Sequence, residues 1–188
     1  MGNLKQGIIA AAALGASLSF VPEASAIKPV PQGTFKLAAE RLISSDFTFA
    51  GGTTTWNNQI FGAAGNAPIT APRLGADYFI IDGLSLGGHA SVGFNTRTNN
   101  SLQGRTAILP RVGYAFALGN VIDFWPRGGF GILVDGNESS GLISLEAMFL
   151  ANLDKRFALE FGPAVDIPLS RFYPDAVVGG NAGFVVTF

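Results

Sequence analysis

The sequence predicts an all-β fold, a closed antiparallel up-and-down transmembrane β-barrel of about eight strands. Three observations lead there. From Phe35 onward apolar and polar residues alternate with period two, the mark of strands whose two faces meet different surroundings. Tight turns alternate along the chain with longer connections. Charged residues stand in mid-strand on the polar face, where a barrel in lipid must turn them inward.

Composition narrows the field. The chain has 188 residues, enough for one domain of ordinary size, with 13% charged and 48% apolar residues. No stretch approaches the roughly 20 consecutive apolar residues of a spanning helix, so the hydrophobicity is spread over short segments. A net charge of -1 with scattered basic residues gives no footprint for nucleic acid. With no cysteine there is neither a disulfide nor a thiolate metal site, and no motif calls for a cofactor. The 25 glycines suit tight turns and crowded strand positions.

Residues 1–26 read as a cleaved signal peptide. Lys5 precedes an apolar run from Gly7 to Phe20, and Ala24-Ser25-Ala26 fits an A-x-A cleavage site. As a helix that run spans about 21 Å, short of the roughly 30 Å hydrocarbon core an anchor must cross. Residues 27–34, with Pro29 and Pro31, read as a flexible periplasmic extension, and residues 35–188 as the barrel.

Strands are predicted at 35–49, 70–81, 84–95, 104–117, 121–134, 141–153, 156–168 and 176–188. In the seventh, Phe157, Leu159, Phe161, Val165 and Ile167 oppose Ala158, Glu160, Gly162, Ala164 and Asp166. In the last, Val178, Ala182, Phe184, Val186 and Phe188 oppose Asn181, Gly183 and Thr187, with Val177 and Val185 diluting the polar face. Asp82-Gly83, Gly119-Asn120 and Asp154-Lys155 are the tight turns, and 50–69, 96–103, 135–140 and 169–175 the longer connections. An even strand count puts both termini on the tight-turn side, the asymmetry of barrels whose periplasmic turns are short. Tyr78, Tyr114, Phe116, Phe124, Phe157 and Phe188 lie close to those turns and predict a periplasmic aromatic girdle.

The polar face gathers Lys36, Glu40, Arg73, Asp77, His89, Arg111, Asp123, Arg127, Glu146, Glu160 and Asp166. An unpaired charge away from water costs several kcal/mol, so these groups are predicted to pair as an interior ionic network. Eight strands leave only enough width for side chains to fill, and no open pore is expected. Arg41 conflicts with this register, which points it at lipid; snorkelling or a bulge in the first strand would accommodate it. Pro-Arg-x-Gly occurs at Pro72–Gly75, Pro110–Gly113 and Pro126–Gly129, where the missing proline N–H predicts local bulges.

The C-terminal Asn181-Ala182-Gly183-Phe184-Val185-Val186-Thr187-Phe188 resembles the terminal signal of outer-membrane barrels: a polar residue, a glycine two later, and apolar alternation ending on an aromatic. The resemblance implies recognition by the barrel-assembly machinery during insertion, through Gly183, Phe184, Val186 and Phe188. Over Phe35–Phe188 the chain resembles the small OmpA/OmpX-like eight-stranded barrels. This implies a non-enzymatic protein in outer-membrane lipid, exported by its signal peptide and contributing to envelope structure or surface contact through its outer loops.

His89 and Ser91 share a strand face, and His-x-Ser resembles the pair of lipid A deacylases, an outer-membrane acyl hydrolase family. In that family the pair looks toward lipid, whereas the register here turns it inward, beside Asp77 and Arg111. Asp135-Gly136-Asn137-Glu138 reads as a solvated hairpin sooner than a calcium loop. Period two is also compatible with a small-molecule conduit, or with a secreted lipocalin-like carrier whose faces are inverted. The longest predicted loop, Gly51–Pro68, carries Trp56, Ile60 and Phe61 as contact candidates.

Overall fold

A computed structural model describes residues 28–60, 72–96, 102–135, 138–170 and 176–188. The predicted signal peptide, Phe61 and parts of all four longer connections lie outside them. Among the described residues ten strands form one antiparallel sheet: β1 (Phe35–Ala50), β2 (Thr53–Ile60), β3 (Arg73–Phe79), β4 (Leu84–Thr96), β5 (Leu102–Tyr114), β6 (Phe116–Ala117), β7 (Ile122–Asp135), β8 (Glu138–Asn152), β9 (Phe157–Pro168) and β10 (Ala176–Thr187). β10 pairs back onto β1 and closes the sheet into a barrel. A 13-residue strand such as β4 is about 43 Å long and, tilted by about 40°, rises about 33 Å, enough for the hydrocarbon core.

The wall has eight positions because two of them are shared end to end. β5 continues as β6, and both pair with β7. β2 pairs with the outer half of β1, Ile43–Ala50, while β3 pairs with the inner half, Phe35–Glu40, on the same edge. The stretch read as loop from residue 50 is therefore strand as far as Ile60. Gly51 and Gly52, at φ of 53° and 84°, make the left-handed two-residue turn that a hairpin needs.

Alternation sets the faces. Leu74, Leu86, Val92, Ile108, Val112, Phe130, Ile132 and Leu145 all point outward and are exposed. Water does not tolerate an apolar surface this wide on a monomer; lipid does. Near the tight-turn end the outer face carries aromatic rings in contact: Tyr114–Phe116, Phe116–Phe124, Phe124–Phe149, Phe149–Phe161, Phe157–Phe184 and Phe35–Phe188, with centroids 4.9 to 6.2 Å apart. The girdle is wider than the six residues proposed from sequence.

Two sequence expectations are corrected. At the prolines the ladder skips pairs without slipping: β5–β7 resumes at Arg111↔Gly129 in the register it held at Ile108↔Ile132, and β7–β8 runs unbroken through Pro126↔Ala147. A missing N–H removes one bond, but the strands on either side hold the register. The lead into β1 is tied down instead of hanging free. Ala117 N donates to Lys28 O, Val30 N to Ala115 O, Gly83 N to Val30 O and Gly33 N to Phe79 O, at 2.7 to 3.2 Å. Gln32 adds a bond from its backbone N–H to Asp82. Residues 28–34 thus form a strap across the tight-turn end.

Candidate functional site

The candidate site is the lumen, which is layered. At the tight-turn end Ala38, Phe79, Ala115, Trp125, Leu150, Ala158 and Val185 pack together. At the other end Ala107, Leu109, Leu133, Leu142 and Val177 do so. Between them lies the ionic layer. Alternation marks the charges of the inner face but gives Val177 and Val185 no role; they belong to these apolar layers.

Four arginines and five carboxylates make up the middle. Arg111 lies 2.6 Å from Glu40, donates to both Asp77 oxygens, and stands 3.5 Å from Glu146. Arg127 reaches Glu40 at 3.1 Å, Glu146 at 2.7 Å and Glu160 at 3.0 Å. Arg73 reaches Glu146 at 3.2 Å and Asp166 at 2.8 Å. Arg41 pairs with Asp166 and lies 3.6 Å from Glu146. Glu146 touches all four arginines, so it is the hub. Ser144 donates to Asp166 at 2.6 Å.

Arg41 is inside, 3% exposed, and the way it gets there is a bulge. Between Ala39 and Ile43 β1 advances four residues while β10 advances two, from Phe184 to Ala182. Arg41 takes φ of 54°, a conformation costly for a side chain larger than glycine. Its ion pairs offset that cost. Arg41 therefore does not snorkel; the bulge turns it inward. Opposite it, a Cβ on Gly183 would collide with Ala39 O, so the bulge and Gly183 fit one another.

The Pro-Arg-x-Gly repeat has a geometric reason. Arg and Gly share the inner face, and the glycine leaves room for an arginine from another strand. A Cβ on Gly75 would stand 2.7 Å from an Arg111 nitrogen, and one on Gly113 would stand 2.9 Å from Arg127 Cγ. The first two motifs thus supply one guanidinium and one gap each, whereas at Gly129 the atom nearest an added Cβ is the Pro110 carbonyl oxygen.

The remaining residues of the polar face divide. His89 is inside and 4% exposed, with Nδ1 3.4 Å from Arg111 and 3.8 Å from Glu40. Ser91 also faces inward, 7% exposed. Neither reaches the lipid surface where an acyl chain would lie. Lys36 and Asp123 stand apart from the ionic layer, near the tight-turn mouth. Lys36 sits over the faces of Phe79 and Trp125, and Asp123 accepts from Asn152 at 3.1 Å. Asp46, which sequence reasoning did not place, is buried on the inner face of β1 in step with Ser44 and Thr48; the alternation beyond the bulge was the signal for it.

One triad resembles a metal site: ligand atoms of Glu40, His89 and Glu146 lie within 4.8 Å of one another. Both carboxylates are already shared among arginines, and a cation there would meet four guanidinium groups at close range. The arrangement suits the network better than an ion. What it does chemically is fill and lock the lumen.

No family model and no curated protein matches the sequence. Solved structures do match its fold. Neisserial surface protein A is 13% identical, with a TM-score of 0.60 over 84% of this chain and 100% of that one. Ail, the attachment invasion locus protein of Yersinia pestis, is 12% identical, with a TM-score of 0.53 over 84% and 99%. The N-terminal β-barrel domain of Pseudomonas aeruginosa OprF is 12% identical, with a TM-score of 0.51 over 84% and 98%. Closed antiparallel wall, apolar exterior and matching architecture together give this chain the fold of the small eight-stranded outer-membrane β-barrels.

Proposed function

We propose that this protein is a non-enzymatic integral barrel of the bacterial outer membrane, exported through residues 1–26 and contributing to envelope structure or surface contact through its outer loops. The observation that carries this reading is the filled lumen. A barrel closed by a four-arginine network between two apolar layers offers no path for a solute. The inward His89 and Ser91 offer no chemistry to lipid, and the ionic interior offers no apolar cup to a carried ligand. The solved structures of similar fold are outer-membrane proteins, and the name of one refers to attachment and invasion. Recognition of Gly183, Phe184, Val186 and Phe188 by the assembly machinery belongs to the same reading.

Phe47 and Trp56, at the outer end of β1 and β2, stack edge to face with centroids 4.4 Å apart, and Trp56 is 57% exposed. This pair places an aromatic anchor at the outer rim. The test is to express the chain with its leader, fractionate the envelope, and analyse lipid A from cells carrying the wild type and His89→Ala. The reading requires a heat-shifted band in the outer-membrane fraction and identical lipid A acylation in both strains. A barrel in the soluble periplasm, or acyl chains that change with His89, overturns it.

A further inference from the structure

Beside the tight-turn mouth lies a cavity of about 600 Å³, roofed by the strap at Pro29 and Val30 and lined by three lysines, Lys28, Lys36 and Lys155. That volume suits a small solute. We propose that it binds the oxyanion of a free small molecule, a phosphate or carboxylate group, with Lys36 at its floor and Lys28 and Lys155 at its rim.

The charges that face the cavity do not balance: three ammonium groups stand against two carboxylates. Two acids face the cavity. Asp123 is held by the Asn152 amide, and Asp154 accepts the backbone N–H groups of Arg156 and Phe157 at 2.6 and 2.7 Å. None of the three lysines is ion-paired among the described residues, whereas every arginine of the central layer is. Lys36 is the telling one. It is 4% exposed, and its ammonium lies 5.2 Å from the Trp125 ring centroid and 5.7 Å from that of Phe79. Ring faces attract a cation but do not neutralise it, and the Asp123 carboxylate acts on it only from beyond ion-pair distance. An oxyanion in the cavity supplies the counter-ion, and the Thr34 and Thr187 hydroxyls that also line it are further donors.

The cavity lies between the strap, the turn residues Asn120 and Asp154, and Lys36, and no lipid-facing aromatic ring lines it, so the occupant is a solute and not a lipid headgroup. Only the compartment it comes from depends on the proposed location; binding itself does not.

Trp56 and Trp125 are the only tryptophans, so Trp56→Phe leaves Trp125 as a reporter stacked on Lys36. The protein is folded in non-ionic detergent, its heat-shifted band is verified, and inorganic phosphate is titrated against chloride at constant ionic strength. A saturable change in Trp125 emission is expected. It should be lost in Lys36→Met and weakened about tenfold in Lys28→Gln/Lys155→Gln, two exposed charges of modest individual worth. If Lys36→Met fails to fold, the exposed pair decides. A flat titration of folded protein overturns the proposal, as does a midpoint the lysine variants leave unchanged. A response found only in vesicles containing phosphatidylglycerol reassigns the site to lipid and overturns it equally.

Discussion

The middle of the lumen and its tight-turn end are both closed, yet by opposite means. In the middle, Arg41, Arg73, Arg111 and Arg127 share Glu40, Asp77, Glu146, Glu160 and Asp166, so that removing one group leaves several others short of a partner. At the tight-turn end Phe79, Trp125, Leu150 and Val185 close the lumen chiefly by packing, with Lys36 resting on two of the rings and the Trp125 indole N–H donating to Ser85. Packing degrades by degrees as atoms are removed. An ionic layer fails abruptly, because deleting one partner strands the others away from bulk solvent. The ionic layer therefore fixes which strand faces which, and the apolar layer supplies tolerance.

That contrast can be broken at several points. Glu146→Ala removes a carboxylate common to all four arginines and should cost about 3–5 kcal/mol, read as a lower urea midpoint for unfolding from vesicles. A loss below about 1 kcal/mol would mean that the network is screened by water. Trp125→Ala opens a cavity in the apolar layer, at about 3–4 kcal/mol; replacing it by Phe should recover more than half, a grading that no substitution at Glu146 should show. Gly183→Ala sets a Cβ against the Ala39 carbonyl, which belongs to the backbone and cannot swing aside, at about 1–3 kcal/mol. Refolding the pure protein in detergent isolates this effect from any role in assembly. An unaltered midpoint there would detach Gly183 from the bulge.

The smallest effect lies outside the membrane. Two backbone N–H groups hold the Asp154 carboxyl below the usual carboxylate range, in a turn where it is fully exposed. A folded pKa below the unfolded one stabilises at pH above the unfolded value and is lost as pH falls through the folded one. Asp154→Asn should therefore lower the unfolding midpoint slightly at neutral pH and leave it unchanged in strong acid. A difference that persists there points to packing instead of charge.

Much of this was legible in the sequence, for reasons that differ by region. Period two alone put Arg73, Arg111, Arg127, Glu146 and Glu160 on one face and the lipid-facing Leu159, Phe161 and Phe184 on the other. The adjacent charges Glu40 and Arg41 cannot both point inward in a regular strand, and that conflict marks the place of the bulge. β2 was missed although Gly51-Gly52 followed by Thr53-Thr54-Thr55-Trp56 carries a hairpin turn and strand formers; the expectation of a long outer connection outweighed it. The strap was illegible for another reason. Its prolines suggest a loose lead, and it is fixed mainly through backbone bonds to Ala115, Ala117 and Gly83 that leave no side-chain pattern.

Conductance across a planar bilayer tests the filled lumen most directly. Protein whose folding is confirmed by its heat-shifted band should insert without producing discrete current steps, because the central layer blocks the axis. Reproducible unitary steps from that same folded band would contradict the account and return the conduit reading to first place.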